Sequence, residues 1–494
     1  MGTIRKQSII STIYIYIGVI VGFVSTGILM PRFLSETQNG ILKLLISYSM
    51  LFAQFASLGF QTATVRFFPY FKDKLKGHHG YFFLMMMVGI AGFVLFLILY
   101  YLIKAPVLDH ESAKNSDFAS YFFLIVPVTF FFLFFNLLDI YARVLIRSTI
   151  GTFLKELLQR IFILIAILLF VMDFIGFWHF IILYVVCVSV PTIILFVYLF
   201  FRGEIFFRPD FSMIRQNLLG PMVNLSVYGL LIGFSQIAIA QIDSILINFI
   251  KDPAQTGIYA ITFYYGTLVI LPSRAVFRIA PTFIAEAFKN NDLNAIESIQ
   301  YKSSLNQMLL GTGLFALLWL NIDNVFRILP PEYLAGKYVI FFIGLSNLIS
   351  MAGGLSSVLI TNSEYYRYNG IFVFIYLLLT VGLNIFLINW IGIVGAAVAA
   401  MSSMLVFNLL KFEFLRRKFG IQPYDWNFVK IIVTGIISYL FVILFSYPEA
   451  LILSILFKSA LFGVLFVLLN YLMSTSDDFN HVVDNYLGWI RKKF

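Results

Sequence analysis

The chain has 494 residues, of which 61% are hydrophobic and only 12% are charged, and its formal net charge is +10. Soluble domains carry about 25% charged residues, so a chain with half that share cannot cover its surface with groups that face water. Apolar runs of about 20 residues recur from end to end, which is the pattern of membrane-spanning helices. The basic excess then fits loop charge that sets membrane orientation, and no nucleic-acid partner is predicted.

The first predicted helix follows Arg5 and Lys6 and covers Ile9 to Met30. This stretch is too long for the apolar part of a signal peptide and lacks a small-residue cleavage site, so it is expected to be a membrane span. Further apolar runs bring the expected number of spans to about fourteen, in an all-α polytopic membrane protein. They are expected near 9–30, 41–62, 80–103, 118–140, 152–172, 177–201, 218–249, 257–280, 304–322, 337–359, 369–389, 391–412, 428–446 and 450–472.

The basic residues between the spans favour this number. With the N-terminus inside, the alternating segments hold 21 basic residues inside, Arg215 among them, and 6 outside. The positive-inside rule expects such a bias, and a missed or invented helix would scramble it. Both termini are therefore predicted to be cytoplasmic. The six outside residues are Arg32, Lys104, Lys114, Lys251, Arg327 and Lys337.

An internal repeat starts in the first helix, where Gly18 and Gly22 belong to a G-x-x-x-G-F pattern. The same pattern returns 211 positions later with Gly229 and Gly233. Small residues at this spacing let helices approach closely. Static packing and helix sliding during transport are both consistent with these glycines.

Three further matches follow in order at offsets from 214 to 217, among them Asn39-Gly40-Ile41 with Thr256-Gly257-Ile258. Each half holds six expected spans and starts inside, so the halves are predicted to be parallel repeats, as in several transporters. The expected organisation is an N-terminal six-helix bundle over 1–205, a second six-helix bundle over 206–420, and two extra helices with a tail over 421–494.

Arg274 and Arg278 lie four residues apart in the eighth expected span, where an arginine that faces lipid costs roughly 2.5 to 3.5 kcal/mol. Counting from Gly257 at 1.5 Å per residue puts Arg274 about 25 Å deep and Arg278 about 6 Å deeper, near the inner headgroups. Arg278 is interpreted as a snorkelling residue, and a second phosphate contact stays open as the alternative. Pro272 is expected to bend the helix just before Arg274. A bent helix suits a cavity wall, so Arg274 is the predicted functional arginine.

Arg32 and Asp243 lie near the outer ends of the first helices of the two halves, again at an offset of 211. They are either an outer gate pair or two unrelated residues at helix ends. Lys43 begins the second helix, and it either lines the same space or reaches the outer headgroups.

Three charged residues open the fifth span: Lys155, Glu156 and Arg160. Because Glu156 and Arg160 have the i, i+4 spacing of a favourable helical ion pair, the group is interpreted as structural.

Residues for catalysis are missing from the pattern. None of the five histidines lies deep in an expected span, and there is no G-x-x-x-x-G-K-[ST] phosphate loop. The single cysteine, Cys187, excludes an internal disulfide and a cysteine-based metal cluster. The sequence therefore predicts a protein that is not an enzyme and needs no cofactor, and it leaves coupling to protons or sodium open.

Three segments carry a resemblance to a known family. They are Pro31–Gly40 after the first helix, Asp243–Ala260 with its Thr256-Gly-Ile-Tyr-Ala end, and Leu383–Ala397 with its Asn-Trp-Ile-Gly-Ile-Val-Gly-Ala-Ala end. The chain resembles the Wzx-type O-antigen and capsule-unit flippases of the multidrug/oligosaccharidyl-lipid/polysaccharide (MOP) superfamily along nearly its whole length.

The resemblance implies two six-helix bundles around a central cavity, with helices 1, 2, 7 and 8 lining it. It also implies a substrate, an undecaprenyl-diphosphate-linked oligosaccharide, whose diphosphate is bound by cationic cavity residues. The positions that match by location are Arg274, Lys43 and Arg32.

The expected function is therefore flipping of a lipid-linked oligosaccharide across a bacterial inner membrane, for surface polysaccharide biosynthesis. The expected partners are this substrate and membrane lipids, with polysaccharide polymerase and assembly proteins left open. Two rivals belong to the same superfamily: a lipid-linked peptidoglycan precursor flippase and a drug/cation antiporter. The antiporter would need carboxylates deep in the bundle, whereas Asp243 and Asp139 lie near expected helix ends. A membrane glycan polymerase or ligase is a rival from another class.

Overall fold

The structure is a computed structural model that describes residues 2–114, 116–210 and 218–493. These residues form helices joined by short connections and divide into two compact units, Met1–Ile261 and Thr262–Phe494. Backbone N–H and C=O groups inside a bilayer have no water to bind, so helices that satisfy their own hydrogen bonds are the expected solution. Arg215, one of the basic residues expected inside, lies outside the described residues.

The first unit contains α1 to α11 and the first part of α12. Their bounds are α1 Gly2–Gly22, α2 Met30–Phe33, α3 Glu36–Ala56, α4 Phe60–Phe71, α5 Tyr81–Ala113, α6 Phe118–Tyr121, α7 Ile125–Val144, α8 Ser148–Thr152, α9 Gln159–Val171, α10 Phe177–Phe201, α11 Leu219–Ile250 and α12 Pro253–Gly266. Two π-helical segments, Phe23–Leu29 and Phe153–Leu158, join α1 to α2 and α8 to α9.

The second unit contains the end of α12 and all later helices. Their bounds are α13 Ser273–Lys289, α14 Leu293–Leu320, α15 Ile322–Ile328, α16 Lys337–Ala352, α17 Ser356–Asn362, α18 Tyr366–Ile391, α19 Ile393–Phe419, α20 Trp426–Ile443, α21 Leu451–Leu472 and α22 Asp477–Lys493.

The all-α membrane fold is confirmed, but the expected number of fourteen spans stays a prediction. In the described part of the chain, eleven helices are long and apolar enough to cross a membrane, or up to twelve if the bent pair α3 and α4 is one span. The expected spans at 152–172 and 257–280 are not among these helices. The first carries three charged residues, Lys155, Glu156 and Arg160, and the second is interrupted by a turn at Leu271 and Pro272 before α13 begins.

The repeat boundaries expected at 205 and 420 also stay a prediction, because the compact units are defined by contacts and not by repeats. α11, the first helix of the expected second repeat, packs along α3 and α4 in the first unit. Gly59, between α3 and α4, allows this approach, because a Cβ atom there would lie 2.0 Å from the Ser226 carbonyl oxygen. Its φ of +67° is also one that residues with side chains rarely adopt.

At one end of the first unit, three connections meet at the buried carboxylate of Glu204. Lys74 Nζ donates to this carboxylate at 2.9 Å, Arg147 donates at 3.2 Å, and His78 Nε2 lies 3.3 Å away. Burial by itself would raise the pKa of Glu204, but the hydrogen bonds from Lys74 and His78 and the charges of Lys74 and Arg147 hold it below the ordinary value. All these residues were expected on the inside.

At the opposite end of the same unit, a lysine binds the C-terminus of α11. Lys114, just after α5, donates to the carbonyl oxygens of Asn248, Phe249 and Lys251 at the end of α11. A cation at a helix C-terminus binds carbonyls that lack helical partners and interacts favourably with the helix dipole. Lys114 and Lys251 were both expected outside, so this contact fits the predicted alternation.

Candidate functional site

α13 carries the two predicted arginines on a face that points away from the core of its own unit. Ala280, Ile284 and Ala287 on the opposite face are buried among α14, α17 and α19 residues. Arg274 is exposed and Arg278 is half-buried. Their face continues with further polar or charged exposed positions, which are Thr282, Glu286 and Lys289.

The helix is interrupted just before Arg274. α12 ends at Gly266, a 3₁₀ turn follows at Thr267–Ile270, and Pro272 precedes the first residue of α13. The Arg274 backbone N–H donates to the Leu271 carbonyl at 3.2 Å. Among the described residues, the Arg274 guanidinium has no hydrogen-bond or ion-pair partner, so its donors are available to a ligand or to water.

Lys43 belongs to a polar cluster formed by α3 and α11 in the first unit. Its Nζ donates to Gln241 Oε1 at 2.9 Å, and the buried Ser47 hydroxyl donates to the same oxygen at 2.9 Å. Asp243 lies close enough to attract the Lys43 ammonium, and it accepts a hydrogen bond from the Tyr259 hydroxyl at 2.7 Å. Lys43 therefore does not reach away from the bundle, but is held by a buried amide.

Arg32 and Asp243 are not joined in this structure. Arg32 lies in the short helix α2 and is exposed, whereas Asp243 is buried and is bound by Tyr259. Within the described part of the chain, no ion pair links the two residues. Their role as an outer gate pair stays a prediction.

The glycines of the first helix make room for an arginine. A Cβ atom at Gly18 would lie 1.9 Å from the Glu156 carbonyl oxygen, and one at Gly22 would lie 2.6 Å from Arg160 Nη1. Arg160 donates to the Gly18 carbonyl at 2.7 Å and to Glu156 Oε2 at 2.9 Å. The expected Glu156–Arg160 pair is present, and it also connects α1 to the fifth span.

The corresponding glycines of the second repeat also lie in close contacts. A Cβ atom at Gly229 would be 2.4 Å from the Thr62 hydroxyl, and one at Gly233 would be 2.4 Å from Gln54 Nε2. Both contacts join α11 to α3 or α4. At Gly229 the Gly59 carbonyl oxygen is also close, at 2.9 Å, whereas at Gly233 the opposing atom is the end of the flexible Gln54 side chain.

Gly40 and Gly257, which the repeat relates to each other, lie face to face where α3 and α12 cross. A Cβ atom at Gly40 would lie 1.8 Å from the Pro253 carbonyl oxygen, and one at Gly257 would lie 1.9 Å from the Glu36 carbonyl oxygen. The crossing is thus backbone against backbone. It lies about 5 Å along α3 from Lys43, counting three residues at 1.5 Å each.

Lys155 was interpreted as structural from the sequence, but it is exposed on the π-helical segment Phe153–Leu158. Its ammonium lies 5.4 Å from the centre of the Phe135 ring, and Asp139 and Glu156 attract it. π-helical turns inside α-helices are frequent at functional sites. The i, i+4 spacing in the sequence concerns only Glu156 and Arg160, so it does not predict where the Lys155 side chain lies.

The second unit contains an apolar cavity of about 420 Å³ between α14, α16 and α20. Met308, Phe315, Trp319, Leu348 and Tyr439 are among the thirteen residues that line it. Such a cavity suits a hydrocarbon chain and offers few partners to a polar ligand.

Metal ligands are not grouped in the described part of the chain. No cluster of three or more histidine, cysteine, aspartate or glutamate side chains there could hold a metal ion.

Comparisons with known proteins agree with this geometry. A family model described as "Polysaccharide biosynthesis protein" matches residues 4–284. A search of curated proteins finds no match to the chain.

Among solved structures, the lipid II flippase MurJ in its inward closed conformation has a TM-score of 0.74 at 12% identity, covering 94% of this chain and 98% of that chain. An inward-facing multidrug resistance MATE family transporter of the MOP superfamily has a TM-score of 0.64 at 11% identity, covering 81% and 94%. The bent form of the Vibrio cholerae MATE transporter VcmN has a TM-score of 0.54 at 13% identity, covering 85% and 98%. The MOP superfamily resemblance seen in the sequence is confirmed at the level of the fold, and these similar proteins are transporters and flippases.

Proposed function

The chain belongs to the polysaccharide biosynthesis protein family, and on that premise we propose that it flips an undecaprenyl-diphosphate-linked oligosaccharide. The movement runs from the cytoplasmic to the outer leaflet of a bacterial inner membrane, with both termini in the cytoplasm. The product would supply the assembly of a surface polysaccharide.

The exposed face of α13 carries this proposal. Arg274 points away from the core of its unit and has no partner among the described residues, although it lies on a helix that is expected to be within the membrane. Since an arginine in lipid costs roughly 2.5 to 3.5 kcal/mol, this face is best explained by a water-filled path. A guanidinium there offers charge-assisted, bidentate hydrogen bonds to a diphosphate.

Other cations assist in this scheme. Lys43 and Lys155 are further candidate phosphate-binding residues, and Arg278 lies one helical turn from Arg274 along α13. Arg32 attracts the anionic substrate near the outer end of the path. In a conformation in which the outer end is closed, Arg32 pairs with Asp243. The held geometry of Lys43 beside Gln241 and the exposure of Lys155 support these roles.

The lipid part of the substrate needs a different environment. An isoprenoid chain is hydrocarbon, and the apolar cavity between α14, α16 and α20 offers a place for part of it. The diphosphate and sugars would then move through the polar path while the chain remains in apolar surroundings. This division agrees with the separation of charged and apolar surfaces in the second unit.

Alternating access follows from binding. Substrate stabilises one conformation, and movement of the two repeats exposes the site to the other side. With the cytoplasm negative, the outward movement of an anion is favoured by about 2.3 kcal/mol per charge per 100 mV. Coupling to protons or sodium would change this driving force.

The test is transport by Arg274 variants. Purified protein in liposomes is supplied with the lipid-linked oligosaccharide in one leaflet, and a membrane-impermeant lectin reports the sugar in the other. We expect Arg274→Ala to reduce the initial rate by about tenfold or more, as for loss of a charged hydrogen bond of about 1.5 to 3 kcal/mol, and Arg274→Lys to retain part of it.

Arg417→Ala is the matched control, since Arg417 is an exposed arginine of α19 that pairs with Glu413 of the same helix. If Arg274→Ala transports at the wild-type rate with equal amounts of folded protein, Arg274 does not bind the diphosphate.

A second candidate function is flipping of a peptidoglycan precursor, favoured by the likeness to the lipid II flippase. Both substrates carry a lipid diphosphate, so Arg274 would serve either. The two are distinguished by supplying each lipid-linked glycan separately in the same liposome assay. The lipid-linked glycan that accumulates in cells lacking the gene provides an independent answer.

A further inference from the structure

The last helix, α22, is amphipathic and follows the final membrane span directly. At 100° per residue, its apolar side chains fall on one side of the helix, and the acidic and amide residues fall on the other. The apolar side contains Val482, Val483, Tyr486, Leu487 and Trp489, and at the start of the helix Phe479, which packs against the apolar core of the second unit. α21 ends at Leu472, so only four residues separate the helix from a membrane span.

The polar side of α22 is attached to the second unit. Tyr471 at the end of α21 donates to Asp484 at 2.6 Å and accepts from Asn480 Nδ2 through its carbonyl at 3.3 Å. Asp478 accepts from Asn306 on α14 at 2.9 Å and lies 3.5 Å from Lys302 Nζ. These contacts fix which side of the helix is turned toward the bundle.

The same contacts show that α22 does not continue along the axis of α21. A straight continuation would separate Tyr471 and Asp484 by about 20 Å, thirteen residues at 1.5 Å each. Their side chains could not meet over that distance. The chain turns at Ser474, where φ is +47°, and α22 then extends sideways past the end of α21 and the middle of α14.

The apolar side remains largely uncovered. Val482 is 55% exposed, Tyr486 68%, Leu487 44% and Trp489 56%. An exposed apolar patch of this kind normally marks a contact surface. Because only four residues lie between a membrane span and the helix that carries the patch, the bilayer surface is the nearest apolar phase to it.

We propose that α22 is an interfacial helix that binds an anionic bilayer surface. Its apolar side enters the boundary between headgroups and acyl chains, where tyrosine and tryptophan side chains are favoured. The helix ends in the sequence Arg491-Lys492-Lys493, and basic residues near a membrane surface are attracted to anionic lipids. The polar contacts to Tyr471 and Asn306 then connect the lipid surface to the end of α21 and to α14.

The full-length protein in lipid nanodiscs tests this proposal, with Cys187 replaced by alanine. A nitroxide spin label is attached either to Tyr486→Cys, on the apolar side, or to Asn485→Cys, one residue away on the polar side. We expect the label at 486 to be relaxed by oxygen and protected from a water-soluble nickel chelate, and the label at 485 to show the reverse. The protection at 486 should increase when phosphatidylglycerol replaces half of the phosphatidylcholine.

Two results would overturn the proposal. If both labels are equally accessible to the nickel chelate in anionic nanodiscs, the helix does not enter the bilayer surface. If the label at 486 is protected from both reagents in detergent and becomes accessible on dilution, a second copy of the chain covers this side. A change in oligosaccharide transport is not part of the readout, so the result is independent of the substrate.

Discussion

Gly40→Ala tests whether the crossing of α3 and α12 has to open during transport. The added Cβ atom would lie 1.8 Å from the Pro253 carbonyl oxygen, whereas ordinary contact begins at 3.4 Å. The shortfall is 1.6 Å, and the opposing atom belongs to the backbone, so a side-chain rotation cannot relieve it. The helices must move apart at this point, which is close to Lys43.

The magnitude follows from overpacking. Forcing an extra carbon into a close-packed contact costs typically 1–3 kcal/mol. If the cost applies to the closed crossing and not to the open one, the ratio of closed to open molecules falls by about 5- to 150-fold. Gly40 has an ordinary φ, so alanine adds no backbone strain in the open conformation.

The assay uses Ser47, which is fully buried in the cluster of Lys43 and Gln241. In protein with Cys187 replaced by alanine, Ser47→Cys is labelled with a membrane-impermeant maleimide from the outer side. We expect Gly40→Ala to raise the labelling rate at least fivefold. Gly382→Ala is the control, because no atom lies within 4 Å of the Cβ position of this helical glycine.

Unchanged labelling of Ser47→Cys in the Gly40→Ala protein, at equal folded amounts, would refute the reasoning. A loss of thermal stability without an increased labelling rate would also refute it. In that case the close approach of Gly40 and Gly257 is static packing, which is the other interpretation of the repeat glycines.

Three further predictions address other parts of the chain. The pKa of Glu204 is lowered in the folded protein, so the stability that its carboxylate adds should be full above the unfolded pKa of about 4.3 and should disappear as the pH falls through the folded pKa. Thermal unfolding should therefore show Glu204→Gln less stable than wild type at neutral pH, with a difference in melting temperature that disappears in acid. A difference in melting temperature that does not change with pH would contradict this. Lys155→Ala should lower transport in the lectin assay several-fold while Lys302→Ala, which changes an exposed surface pair, should not. Arg32→Asp and Asp243→Arg should each impair transport and the double change should restore part of it, and no recovery in the double variant would exclude a gate pair.

Much of the topology could be predicted because it depends on local composition. Runs of apolar residues and the bias of basic residues are properties of short segments, and they put Lys74, Arg147 and Glu204 on the same side. Contacts at both ends of the first unit then fit that alternation, since Lys114 donates to the backbone at the end of α11, including the Lys251 carbonyl oxygen. The span count is harder, because a run such as 152–172 carries three charged residues and the run at 257–280 is interrupted by a turn at Leu271 and Pro272.

The cationic residues show where local patterns fail. Glu156 and Arg160 have the spacing of an ion pair and form one, yet Arg160 also binds the carbonyl of Gly18, 142 residues away. No pattern in either segment contains that contact. Lys155 was assigned to the same structural group by its position next to Glu156, although the π-helical segment leaves it exposed. Which cation is exposed depends on packing that a single sequence does not specify.

Packing also separates Arg274 from Arg160 and Lys43. Arg160 is held by Glu156 and a backbone carbonyl, and Lys43 by Gln241, so each has exchanged its hydration for protein atoms. Arg274 has made no such exchange with any described residue. A guanidinium that has neither a protein partner nor water is too costly to persist within a bilayer. We therefore expect water or an anion beside the exposed face of α13, and a diphosphate would provide both the charge and the oxygen atoms that Arg274 can bind.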